Sequence, residues 1–309
     1  MIGRRFASCL DISVKMHTME HIIQCSATET AKAEMRLYDM HRIVSVCLLL
    51  LMLLPSYCAA EEAPVLRGYD TKTRKYQYAT FGVYPHGKNG EEAPVLWRVL
   101  GRGVPAGDDV IGKDTYDHMA KKYANRDELT AENDDVFLLM TEYIIDTVLY
   151  HPERDVADGP GLDYADTNVR NVLCTEVLVR MFTPEQQATL LEMPGRGLLS
   201  LPSRRGELFH PDYGFVEEDF TELKRRCTTG TPYAYAQGLR KIVGDYSWYW
   251  TTDWRAPGRR WIVGDNGHIS VSGLDREGGV RPICYVKTNM LRIAGGDGTK
   301  DNPFIFELK

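Results

Sequence analysis

SWYWTTDWRAPGRRWIVGDNGHISVSGLDREGGVRPICYV, residues 247–286, carries the pattern that decides the fold. Four of the five tryptophans, Trp248, Trp250, Trp254 and Trp261, fall within fourteen positions of it. Aromatic and β-branched runs separated by turn formers predict short strands over 248–252, 261–263, 268–271 and 281–286. Strand alternation puts Trp248 and Trp250 on one face and Tyr249 on the other, so part of this aromatic group must be core. Trp250 and Trp261 are the expected core members. Asp265-Asn266-Gly267 predicts a hairpin turn, because Asn-Gly supplies the positive φ such turns need.

Upstream, residues 76–83 alternate and are rich in aromatics, Tyr84 to Gly90 is turn-rich, and Val95 to Leu100 is apolar; together they predict an N-terminal hairpin. Residues 103–135 are polar and read as a surface excursion. A buried strand is expected over 136–140, continued or paired by 143–148, with a helix over 136–149 as the alternative, since short apolar runs are ambiguous. Asp166 or Thr167 can cap a helix whose apolar face is Val169, Val172, Leu173, Val177 and Met181. Thr183-Pro184-Glu185-Gln186 opens a second helix with a capping box and proline at the first helical position. That helix is expected to stop at Met193-Pro194-Gly195. Beyond it the chain is loop-rich, with short strands expected over 198–201 and 303–308. No Pro/Ser-rich linker divides the chain from residue 69 onward. The expectation is a single α+β domain over 61–309: a hairpin, two helices, and a C-terminal half of short strands.

The chain has 309 residues, 43% hydrophobic and 26% charged, with a formal net charge of −6. This is an ordinary globular composition, and its acidic balance argues against a nucleic-acid partner. Near the start, Met40-His41-Arg42 precedes an apolar run from Ile43 to Leu54, and Cys58-Ala59-Ala60 places small residues before Glu61. That layout predicts a secretory signal peptide over 40–60, with residues 1–39 an over-long gene start. The run is shorter than the ~20 residues that span a bilayer, so no membrane span is expected after cleavage. Acylation of Cys58 as a lipoprotein is the lesser alternative, since Tyr57 stands where a small residue is wanted. The expected location is exported, periplasmic or secreted. Of the seven cysteines, Cys174, Cys227 and Cys284 lie beyond the signal. In an oxidising compartment Cys227 and Cys284 are the expected disulfide, with three separate buried thiols as the alternative.

Several segments, in order, resemble an uncharacterised family of exported bacterial domains. They are Phe81-Gly82-Val83-Tyr84-Pro85, Trp97-Arg98-Val99-Leu100, Val169-Arg170-Asn171-Val172-Leu173 and Thr231-Pro232-Tyr233-Ala234. Tyr249-Trp250-Thr251-Thr252, Asn266-Gly267-His268-Ile269 and Gly279-Val280-Arg281-Pro282 complete the set. The match covers most of 76–286. The family is similar to the C-type-lectin-like fold that formylglycine-generating enzymes also use. The resemblance implies adjacent terminal strands, two helices and a long loop region. The chain departs from the family pattern at Val172, Cys174 and Thr252, where Trp, Asn and Arg are usual.

Trp254 and Arg255, in a loop with Pro257-Gly258, and Tyr233 are the expected ligand-binding residues, since aromatic faces and a guanidinium suit sugar rings or peptide side chains. Arg281 reads as a structural tie for loop carbonyls. Asp265-Asn266 and Asp297, Asp301 and Asn302 are the oxygen-rich positions that calcium would need, though turn chemistry explains them equally. No cofactor and no other metal is expected. The chain carries none of the H-E-x-x-H, G-x-S-x-G or P-loop patterns. The resemblance, with no catalytic pattern found, implies non-catalytic binding of a carbohydrate, peptidoglycan fragment or protein at the bacterial envelope. The alternative is an envelope-modifying enzyme, with Cys227 or Cys284 as nucleophile and His210 or His268 as base.

Overall fold

The computed structural model describes residues 65–103, 135–152, 163–204, 206–215 and 220–309. The expected signal segment, the upstream extension, most of the 103–135 excursion and most of the loop after His151 lie outside them.

Strands β1 (Gln77–Pro85) and β2 (Glu92–Arg102) form the expected hairpin, in antiparallel register from Gln77 opposite Val99 to Pro85 opposite Glu92. Trp97 is fully buried on β2, and its indole N–H donates to the Phe81 carbonyl at 2.7 Å. Buried indole N–H groups need such a partner, and here the bond also ties the two strands together at the core. β3 (Val136–Thr141) is buried at every position, as an interior strand covered on both faces must be. β4 (Asp146–Leu149) follows it after a short crossing segment.

Helix α1 spans 168–181 in three parts: Asn168–Val172, a π turn over Leu173–Val177, and Leu178–Met181. Its buried face includes Val169, Leu173, Val177 and Met181, a strict spacing of four. In a pure α-helix this spacing drifts about 40° per step, because 3.6 residues make a turn. The wider π turn rewinds part of that drift and keeps all four on the core. Thr167 caps the helix through its hydroxyl. The second helix, α2 (Pro184–Ala188), opens with the full Thr183–Gln186 capping box. It ends at Ala188, earlier than expected, because Leu190–Leu191 leave the helix to form β5 on the edge of a sheet.

Two further short helices, α3 (Phe220–Arg226) and α4 (Pro232–Ala236), flank β6 (Thr228–Thr229). β7 (Tyr246–Ser247) pairs with β6, while the 198–201 segment contributes only one bridge, Ser200 to Ile283. Then come β8 (Tyr249–Ala256), β9 (Arg259–Val263), β10 (Ile269–Gly273) and β11 (Glu277–Val280). β12 (Ile283–Lys287), β13 (Leu291–Gly295) and β14 (Phe304–Leu308) close the chain.

The strands form a seven-stranded sheet, β13-β14-β1-β2-β3-β12-β5, and a five-stranded sheet, β10-β9-β8-β11-β4. Among the described residues the first strand lies beside the last: β1 pairs with β14 in parallel, Ala79 opposite Phe304. The architecture is mixed α+β, dominated by sheet.

The strand expected over 281–286 starts two residues later, at Ile283. Val280 ends β11 in the five-stranded sheet and Ile283 begins β12 in the seven-stranded one, so Arg281-Pro282 is a crossing between sheets. The chain crosses a second time alongside it, between β3 and β4, with Thr141 N–H on the Pro282 carbonyl and Ile145 N–H on the Val280 carbonyl. A crossing interrupts ladder bonding and leaves carbonyls to satisfy. Arg281, with no solvent exposure, does this. Its Nε donates to the Thr141 carbonyl at 2.9 Å, Nη1 to the Arg226 carbonyl and the Tyr249 hydroxyl at 3.2 Å each, and Nη2 reaches toward the Glu142 carbonyl at 3.5 Å. Beside it Arg98 holds the Glu142 carboxylate at 2.5 Å, and Lys300 meets the other carboxylate oxygen at 2.8 Å.

Candidate ligand-binding site

The β8–β9 ribbon holds the two expected tryptophan-loop residues. A regular strand would put Trp254 on the same face as Trp250, which is fully buried. The register between β8 and β9 instead breaks twice, between Trp250 and Trp254 and again between Trp254 and Ala256. Such irregularities re-aim side chains, and Trp254 is 45% exposed. Arg255 is exposed next to it, its guanidinium 5.2 Å from the Trp261 ring centre.

Trp261, expected in the core, is only half-buried. A second guanidinium, Arg204, lies 4.4 Å from the same ring. Two cations therefore share one indole, each drawn to its electron-rich face. Arg204 reaches this position because its loop is fastened to β8. Thr252 N–H donates to the Pro202 carbonyl at 3.1 Å, the Ser203 hydroxyl donates to Asp253 Oδ1 at 3.0 Å, and Arg204 N–H donates to Asp253 Oδ2. Glu207 holds the other side of the loop, accepting from Ser203 N–H at 2.6 Å and from Arg196 at 2.9 Å. Burial pushes the Asp253 carboxyl above the usual carboxylate range, against the lowering effect of the Arg204 amide and the Ser203 hydroxyl.

Next to the ribbon is a cleft of about 400 Å³, lined by Arg259, Val271, Ser272, Asp275 and Arg276 among others. Val271 is the cross-strand partner of Trp261. The ribbon and cleft thus combine aromatic surface with arginines and hydroxyls, the chemistry that takes a sugar ring or a planar side chain carrying negative charge.

Tyr233 lies elsewhere. It sits on α4, edge-on to Tyr84 at 6.2 Å, and the Arg180 guanidinium lies 5.9 Å from its ring and 5.6 Å from that of Tyr84. The Tyr84 hydroxyl donates to Asp146 at 2.6 Å, and burial pushes both groups up. Tyr233 thus belongs to a second aromatic group, and the structure does not gather it with Trp254 and Arg255.

The expected Cys227–Cys284 disulfide is not formed. All three described cysteines are free thiols. Cys284 points into the core from β12, while Cys227 follows α3 and packs against Leu223 and the Gly267 turn. Burial pushes both thiols up, and Asp265 pushes Cys227 further. A nucleophile needs the opposite shift. His210 is buried and stacked on Tyr213 at 4.2 Å, its Nδ1 accepting from the Asp212 amide, whereas His268 is exposed.

The oxygen-rich turns serve the backbone. Asn266 Oδ1 accepts from His268 N–H, and Asp297 accepts from the amide and hydroxyl of Thr299, which hold its carboxyl below the usual range. Among the described residues, no three His, Cys, Asp or Glu side chains gather in a metal-holding group. No described helix is long and apolar enough to cross a membrane.

Comparisons with protein-family models, with curated proteins and with solved structures find no match.

Proposed function

We propose that this chain is an exported bacterial binding domain of C-type-lectin-like fold, which takes an envelope carbohydrate, peptidoglycan fragment or protein at the β8–β9 ribbon. The observation that carries the reading is the exposed Trp254 and Arg255 on β8 beside the Trp261 indole, which Arg204 also flanks from a loop fastened by Asp253. Such a surface has hydrophobic faces for a ring and fixed donors for a carboxylate or other acidic group. The fold assignment rests on the ordered motifs and is supported by the pairing of first and last strands. Export rests on the 40–60 signal pattern. The alternative, an envelope-modifying enzyme on the formylglycine-generating-enzyme-like fold, is disfavoured by the raised Cys227 and Cys284 thiols.

The test is a glycan array and an envelope-extract pull-down with the isolated protein, with and without calcium. The reading expects retention of acidic saccharides or muropeptides, lost in Trp254→Ala and Arg255→Ala. Retention that survives both substitutions would place the site elsewhere.

A further inference from the structure

Ten large hydrophobic residues are notably exposed among the described ones, and three of them, Ile242, Val243 and Tyr246, fall within five positions at 53%, 63% and 46% exposure. They occupy the tip of a hairpin. Tyr246 N–H donates to the Val243 carbonyl at 3.1 Å, Ile242 N–H to the Tyr246 carbonyl at 3.1 Å, and Gly244 turns the chain with φ +60°. The space beside Gly244 is open.

This exposure is built into a braced structure. The Tyr235 hydroxyl accepts from Gly230 N–H at 2.9 Å and donates to the Asp245 carbonyl at 2.5 Å. Lys241 bonds the Asp245 carboxylate at 2.5 Å and lies 4.8 Å from the Tyr235 ring centre. The Ser247 hydroxyl donates to the Arg240 carbonyl at 2.6 Å.

At the foot of the hairpin is a groove of about 500 Å³ lined by Lys88, Gly230, Pro232, Tyr235 and Lys241 among others. Among the described residues no carboxylate holds Lys88 or Arg240. Apolar side chains at a braced tip, a tyrosine at their edge and cations behind them match the cross-section of a bilayer surface. Aliphatic groups enter the acyl edge, tyrosine sits at headgroup level, and cations meet anionic phosphates.

We propose that the 240–247 hairpin docks the protein on an anionic phospholipid surface. Ile242, Val243 and Tyr246 enter the leaflet, and Lys88 and Arg240 contact the headgroups. This contact is separate from the β8–β9 ribbon and does not depend on what the ribbon binds.

The test is hydrogen–deuterium exchange of the isolated protein with and without vesicles, read at the amides of 240–247, so that contact through any other segment does not count. Vesicles of phosphatidylcholine with about one-third phosphatidylglycerol should slow exchange there, and added salt should weaken the effect. Ile242→Ser with Val243→Ser should abolish the protection, and Lys88→Gln or Arg240→Gln should each weaken partitioning roughly fivefold. Vesicles of phosphatidylcholine alone should protect less. Unchanged exchange with anionic vesicles would overturn the proposal. So would protection that survives the serine variant, protection by inorganic phosphate alone, or protection that grows with protein concentration without vesicles, which would indicate a second copy on the tip.

Discussion

Arg281 acts at the single-residue scale by tying the Thr141 carbonyl at the sheet crossing to the Arg226 carbonyl at the end of α3. Arg281→Ala should cost about 3 kcal/mol or more, since buried carbonyls lose their donors and a cavity opens. Arg281→Lys should rescue little, because a point cation cannot span acceptors that a planar fork reaches together. Urea unfolding of the two variants checks this, and a lysine variant as stable as wild type would contradict it. Asp253 makes a different prediction. Burial raises its carboxyl in the fold, so the folded state holds that proton more tightly than the unfolded chain does. Ionising it therefore costs stability as pH rises through the folded value, and the cost fades as pH falls through it toward the ordinary carboxylate range. Asp253→Asn has no such titration. The stability of wild type relative to that variant should rise as pH falls from neutral toward the ordinary carboxylate range, and a flat difference would contradict the account. The structural role of Arg281 was legible in sequence, because an arginine before a proline at a strand junction has carbonyls to serve. The role of Asp253 was not, since its partners Ser203 and Arg204 lie about fifty positions away and nothing local marks them.

At the scale of elements, the fit of the aromatic strand depends on a neighbouring glycine. A Cβ at Gly278 on β11 would lie 2.3 Å from the Trp248 ring and 2.5 Å from Trp250 Nε1. The two indoles pack edge-on at 4.8 Å, so neither can move far. Gly278→Ala should cost about 1–3 kcal/mol by overpacking and change the near-ultraviolet signal of the tryptophans. An unchanged melting curve and spectrum would contradict this packing. Elements announced by local chemistry were read correctly: the Thr183 capping box, the Asn266-Gly267 turn, and the β1–β2 hairpin. Thr231-Pro232 carries the same cap-and-proline signal as Thr183-Pro184 and does open α4, a helix the reading of that segment passed over. Two features depend on distant pairing and left no local trace: the early end of α2 and the reduction of 198–201 to one bridge. In each case the partner strand decided the boundary. The π turn in α1 has a trace that is easily missed, the strict four-residue spacing of its core positions.

Across the described residues, the first and last strands, β1 and β14, pair with each other, and β14 also supports β13. Phe304 and Phe306 are buried there, at 2% and 6% exposure. Truncation after Pro303 should remove about 3–6 kcal/mol by exposing that apolar surface and freeing two strand edges. A truncated protein that unfolds cooperatively at the same temperature would contradict the closure. The class was legible at this scale because alternating short strands and two capped helices predict α+β directly. The two-sheet arrangement was not, because crossings between sheets look like continuous strands in sequence. The candidate site was half legible: Trp254 and Arg255 are exposed on one ribbon, while Arg204 joins them through a loop that only the fold brings near, and Tyr233 stands in a separate group. The central claim is that this ribbon binds an acidic envelope ligand. Calorimetric titration of soluble muropeptides into wild type, Trp254→Ala and Arg255→Ala tests it most directly. The account predicts saturable binding to wild type, weakened about tenfold or more by either substitution, as expected when a hot-spot aromatic or arginine is removed. Equal affinity in all three proteins, or no binding to wild type, would contradict it.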